Sequence, residues 1–98
     1  MTRELIIRPE AECEIVEAYD WYEACLQGLG ADFLLSIDAI LHAVARNPKQ
    51  YPVVHKDIRR ALARRFPYEV FFLDKGSRVI VLAVFHARRN PGDWQNRA

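Results

Sequence analysis

Several things are scarce in this chain, and each scarcity excludes something. Of 98 residues only two are cysteines, Cys13 and Cys25. Both fall in a predicted helix, where twelve residues at ~1.5 Å each put them about 18 Å apart, beyond the ~7 Å limit for bridged Cα atoms. They are expected to be reduced thiols, and two cysteines alone do not make a zinc site. Glycine occurs four times. Gly28-Leu29-Gly30 lacks the third glycine of a dinucleotide loop and reads as a turn between helices. The longest apolar run, Val79 to Phe85, is far shorter than the ~20 residues of a membrane helix. Met1-Thr2-Arg3-Glu4 leads into no long apolar stretch, so neither a secretory signal nor a membrane association is expected, and a cytoplasmic location is. His42, His55 and His86 lie on three different elements, and Ser36 and Ser77 sit in no nucleophile-elbow motif. No metal, no cofactor and no serine nucleophile are expected.

What is present suits one domain over residues 1–98: 51% hydrophobic residues can fill one core. The net charge of +1 hides a segregation. Up to residue 49 there are four bases and nine acids, a balance of −5; from residue 50 there are ten bases and four acids, a balance of +6. A basic half on a small domain fits a polyanion or an acidic partner, and it equally fits solvated surface arginines.

Glu4 to Arg8 is short, apolar and β-branched, and reads as a strand. Pro9 then suits a helical first turn, and a helix is predicted from Pro9 to Gln27. Ala11, Ile15, Ala18, Tyr19, Tyr22 and Leu26 form its apolar stripe, with Glu10, Glu14 and Glu17 on a solvated face. A second helix is predicted from Ala31 to Arg46, stopped by Asn47-Pro48, with Phe33, Leu34, Ile37, Ile40, Leu41 and Val44 as its stripe. Two helices joined this tightly form an antiparallel hairpin, and something flat must cover them. Residues 47–57 read as irregular. Three strands follow, from Ile58 to Phe66, Tyr68 to Leu73 and Arg78 to His86. Asp74-Lys75-Gly76-Ser77 makes a hairpin turn between the last two. The expected fold is a two-layer α+β domain of order β-α-α-β-β-β, with the first strand beside the last.

The residues able to carry chemistry are basic. Arg59, Arg60, Arg64 and Arg65 precede Phe66, and His86-Ala87-Arg88-Arg89-Asn90-Pro91-Gly92-Asp93-Trp94 follows the last strand. Arginine grips phosphate and carboxylate bidentately. Trans-esterifying cleavage of RNA needs a base for the 2′-hydroxyl, cations for the phosphorane and an acid for the leaving oxygen. His86, Arg65 and Arg88 are the candidates for that work. Each has a plainer reading: His86 as a hydrogen-bonded strand-end histidine, Arg88 and Arg89 as solvated cations, Trp94 as a cap on the core.

Phe66-Pro67-Tyr68, with arginines before it and an aromatic strand after it, resembles a signature of the RelE/ParE toxins of type II toxin–antitoxin systems. The apolar strand closed by His86, Arg88-Arg89, Asn90-Pro91 and Trp94 resembles the same family. So does the opening, with Pro9, Trp21-Tyr22 and Asn47-Pro48. The resemblance spans nearly the whole chain. It implies a toxin held as a hetero-oligomer by a cognate antitoxin. Arg59, Arg60, Arg64, Arg65, Arg88, Arg89 and Trp94 are the expected contacts to target or antitoxin. Two branches follow. ParE-like members poison DNA gyrase; RelE-like members cut ribosome-bound mRNA. Trp94 stands where a proton-transferring C-terminal residue is expected, and indole exchanges no proton near neutral pH. The ending therefore resembles the ParE-like branch more. A basic module that binds nucleic acid without toxicity is a third reading, and it predicts salt-sensitive binding.

Overall fold

Strand β1 (Glu4–Ile7) turns at Arg8 into α1 (Pro9–Cys25), with Pro9 in the first turn. Helix α2 (Leu29–Arg46) runs back against it, followed by a 3₁₀ turn at Pro48–Gln50. Four strands come next: β2 (Val53–His55), β3 (Ile58–Leu62), β4 (Tyr68–Asp74) and β5 (Arg78–His86). A short α3 (Gly92–Gln95) follows. These elements come from a computed structural model, which describes residues 2–88 and 92–97. The sheet order is β1-β5-β4-β3-β2. β1 pairs with β5 in parallel, and the other neighbours are antiparallel. The expected α+β architecture holds, with the first strand beside the last.

Four expectations about the elements need correction. Residues 47–57 are not wholly irregular, because Val53–His55 pairs with β3 and makes a fifth strand. The third element of the sheet ends at Leu62 rather than Phe66, so Arg64 and Arg65 sit in the loop to β4 and not on the strand. Helix α1 stops at Cys25, where Leu26 takes extended backbone angles and swings outward, 64% exposed. Glu14 is not on a solvated face: it is 9% exposed and packed beneath the sheet.

The sheet is covered on both sides. On one, Phe33, Ile37, Leu41 and Val44 of α2 and Ala11, Ala18 and Tyr22 of α1 pack on Val70, Phe72, Val79, Val81 and Val84. On the other, Ile58, Phe71, Leu73, Leu82 and Phe85 gather around Trp94. The indole stacks on Phe71 at 3.9 Å between centroids and 15° between planes. A register shift makes this possible. Phe71 faces Ala83 and Phe72 faces Val81, so Leu82 is an extra residue on β5, a bulge that redirects the strand.

The interhelical turn is held from α1. The Glu23 carboxylate accepts from the backbone N–H of Gly28 at 2.9 Å and of Gly30 at 3.0 Å, meeting donors that the start of α2 would otherwise leave open. Gly28 has φ +91°, a left-handed conformation that favours glycine. At Gly30 a Cβ would stand 2.8 Å from the Tyr19 ring and 2.9 Å from Glu23 Oε1.

Strand β1 reaches only Val81 on β5, where the Arg8 N–H donates to the Val81 carbonyl. Beyond that point side chains replace a neighbouring strand. Glu14 Oε1 accepts from the Val84 N–H at 3.0 Å, and Arg97 Nη1 donates to the Leu82 carbonyl at 3.1 Å. The two side chains also pair through Nη1–Oε1 at 3.1 Å and Nη2–Oε2 at 3.0 Å. The Arg97 guanidinium lies 4.9 Å from the Phe85 ring centroid, and its own carbonyl accepts from Arg8 at 3.2 Å.

Two outcomes are expected from urea unfolding. Arg97→Ala strands a nearly buried carboxylate and should cost about 2–4 kcal/mol, with Glu14→Gln milder than Glu14→Ala because the amide oxygen still accepts from Val84. Gly30→Ala should cost about 1–2 kcal/mol by overpacking against Tyr19, and Glu23→Ala about 1 kcal/mol through lost capping.

Candidate functional site

The arginines predicted as contacts do not form one continuous patch. Arg59 and Arg60 are consecutive on β3, so their side chains leave opposite faces of the sheet. Arg59 Nη1 donates to the Tyr51 carbonyl at 2.6 Å and ties the irregular segment to the strand. Arg60 pairs with Glu69 on β4 at 3.3 Å. Arg65 pairs with Asp32 in the first turn of α2 at 3.3 Å, and its guanidinium lies 5.6 Å from the Phe66 ring centroid. Arg64 and Arg88 are exposed. Arg89 lies outside the described residues, with Asn90 and Pro91.

Trp94 is 6% exposed, so its ring is spent on packing against Phe71 and is not presented to a partner. The plainer reading of this residue, a cap on the core, is the one its burial fits. A tryptophan following a basic, proline-containing loop carries no sequence signal of that burial.

His86 sits on the far side of β4 from β3. It pairs across the sheet with Tyr68, the rings 5.4 Å apart and nearly perpendicular. Its Nδ1 accepts from the Arg88 N–H at 3.1 Å, which leaves Nε2 to carry the ring proton. Glu14, Glu17, Trp21 and Tyr68 line the same cleft. Burial raises the Tyr68 phenol above its usual value, with further contributions from Tyr22 and from Glu17, so it stays protonated at neutral pH. The structure thus sets His86 beside Tyr68 in a cleft with Trp21, Glu14 and Glu17. Arg65 forms a solvent-exposed ion pair with Asp32, and Arg88 meets His86 through its backbone N–H.

A groove of about 540 Å³ lies between α2 and the β3 edge. Ala39, Ile40, Ala43, Tyr51 and Leu62 contribute apolar lining; Arg60 and Arg64 supply the charge. β2 pairs with β3 at Ile58 and Arg59, and the Arg60 N–H still bonds to the Pro52 carbonyl at 3.1 Å. Beyond it Leu62 is left 58% exposed. Among the described residues no group of acids, histidines and cysteines could hold a metal ion, and no helix is long and apolar enough to cross a membrane.

Known proteins are similar to this chain, some in fold and others in sequence. The chromosomal ParDE toxin–antitoxin system from P. aeruginosa contains a chain that superposes with a TM-score of 0.77 at 17% identity, covering 87% of this chain and 96% of the other. The RelBE2 toxin–antitoxin complex from Mycobacterium tuberculosis gives a TM-score of 0.60 at 15% identity, covering 88% and 99%. Toxin ParE2 of Mycobacterium tuberculosis strain H37Rv is 27% identical over 92 residues, which is 93% of this chain and 88% of that protein. The same toxin in strain CDC 1551 matches equally well. The family described as "ParE toxin of type II toxin-antitoxin system, parDE" matches residues 5–91. This chain belongs to the ParE toxin family of type II toxin–antitoxin systems.

Proposed function

We propose that this ParE-family toxin acts in the cytoplasm by inhibiting DNA gyrase, and that a cognate antitoxin neutralises it. The observation that carries the choice of target is the surroundings of His86. Its cleft is walled by Glu17, whose charge opposes the approach of a phosphodiester, and by Glu14, which is already paired with Arg97. Its Nδ1 is taken, and Arg65, one of the two arginines named to assist it, lies in a solvent-exposed ion pair with Asp32. Trp94, buried against Phe71, transfers no proton. These features favour a toxin that works by binding over one that cuts mRNA on the ribosome.

The antitoxin reading rests on the groove between α2 and β3. A segment with apolar anchors and acidic flanks fits a channel of alanine, isoleucine, tyrosine and leucine bordered by Arg60 and Arg64. The two neighbouring structures are both from toxin–antitoxin systems, which supports a partner of this kind.

Three outcomes are expected. Expression alone should arrest growth, and co-expression of the antitoxin should restore it; unimpaired growth with abundant folded protein contradicts the toxin reading. His86→Ala should leave the arrest intact within a few-fold, since the ring does no chemistry; complete loss of toxicity in a folded variant would favour the ribonuclease. Arg64→Glu should slow antitoxin association roughly three- to tenfold at low salt and weaken its salt dependence, while a Leu62→Ala change should mainly raise the off-rate. Reversal at Arg60 is the less clean variant, because it would also set a second acid against Glu69. Unchanged association of the Arg64→Glu protein would move the antitoxin away from this groove.

A further inference from the structure

The acidic cleft at the end of β5 has no task in the binding scheme above. It measures about 310 Å³ and shares no lining residue with the α2–β3 groove. Three aromatic or heteroaromatic rings face it: Trp21, Tyr68 and His86. Trp21 is 63% exposed, an unusual position for the largest apolar side chain of α1. It is fixed edge-on against Tyr22 at 5.1 Å, which in turn stands 6.1 Å from Tyr68. The rings are therefore held by packing before any partner arrives.

The charge in the cleft has one sign. Helix α1 carries Glu10, Glu12, Glu14, Glu17, Asp20 and Glu23 and no lysine or arginine. Glu14 is already neutralised by Arg97. Glu17, on the same side of the helix and exposed, makes no ion pair among the described residues. The fold contains one example of a carboxylate beside an aromatic ring holding a guanidinium. Immediately beside the cleft a guanidinium forks onto Glu14 at 3.0 and 3.1 Å and lies 4.9 Å from the Phe85 ring centroid. Glu17 with Trp21 and Tyr68 repeats the combination of a carboxylate and aromatic faces, here open to solvent.

We infer that the Glu17–Trp21–Tyr68–His86 cleft is a docking site for an arginine side chain of a protein partner. The planar guanidinium suits both halves of the site: its N–H fork meets the Glu17 carboxylate and its face lies on an aromatic ring. Ammonium is more strongly hydrated and offers no plane to stack, which favours arginine over lysine. The surface is separate from the basic groove, so a toxin bound there would still have this cleft open. One molecule thereby presents two recognition surfaces of opposite charge.

The test uses the full chain and three probes: the tripeptide acetyl-Gly-Arg-Gly-amide, its citrulline counterpart and spermidine. NMR resonances of the Trp21 indole and the His86 ring are followed. The arginine peptide should shift both saturably, and the neutral citrulline peptide should not. Glu17→Gln should weaken binding about tenfold and Trp21→Ala at least threefold, each with the dispersed spectrum of the folded protein retained. Absence of a saturable shift, or equal shifts with the citrulline peptide or in Glu17→Gln, would overturn the assignment. Spermidine binding as tight as the arginine peptide would assign the cleft to free polyamines and also overturn it.

Discussion

Strand β5 must be satisfied on two faces and two edges, and the ion pair between Glu14 and Arg97 completes what the strands leave undone. β1 is four residues long and β5 is nine, so the parallel pairing runs out at Val81. An uncovered edge in the middle of a core would leave the Leu82 carbonyl and the Val84 N–H without partners, at a cost of about 1–3 kcal/mol each. One carboxylate and one guanidinium meet both groups and neutralise each other. The pair joins residues 83 positions apart, so it also fastens the C-terminal segment across the sheet. With that segment in place Trp94 lies on Phe71, and the second sheet face has its cover.

Separate contacts within the fold decide what the basic half of the chain is free to do. Several arginines named as contacts are occupied within the fold: Arg59 by the Tyr51 carbonyl, Arg60 by Glu69, Arg65 by Asp32. Each still lends positive potential to its surroundings, but only Arg64 and Arg88 among the described candidates are exposed cations without a side-chain ion pair. His86 lies beside Tyr68, with Glu17 and the Arg97-paired Glu14 lining the same cleft. Arg59, Arg60 and Arg65 are thus held by partners of their own, while Arg88 stays next to His86 in the chain.

The legible parts of this fold were those written in local periodicity. Pro9 and Asn47-Pro48 mark helix boundaries, the three- and four-residue spacing of Phe33, Ile37, Leu41 and Val44 marks a buried face, and the run from Val79 to Phe85 marks a strand covered on both sides. What stayed hidden depends on distant partners. Val53–His55 is too short to show alternation and exists as a strand only because β3 offers an edge. Glu14 looks like any solvated glutamate until Arg97 and the Val84 N–H are brought to it. Trp94 looks like an exposed contact because its stacking partner, Phe71, lies on another strand. The candidate site was legible as residue types, arginines with a histidine, while their separation follows from the sheet register pairing His86 with Tyr68 and from the Arg65–Asp32 contact.

The most direct test of a toxin that binds without cutting is made with purified protein on two substrates side by side: plasmid DNA with gyrase, and translating ribosomes with a defined mRNA. The account predicts that supercoiling by gyrase falls with increasing toxin while the mRNA remains intact. Undisturbed supercoiling together with cleavage of the mRNA at fixed codon positions would contradict it.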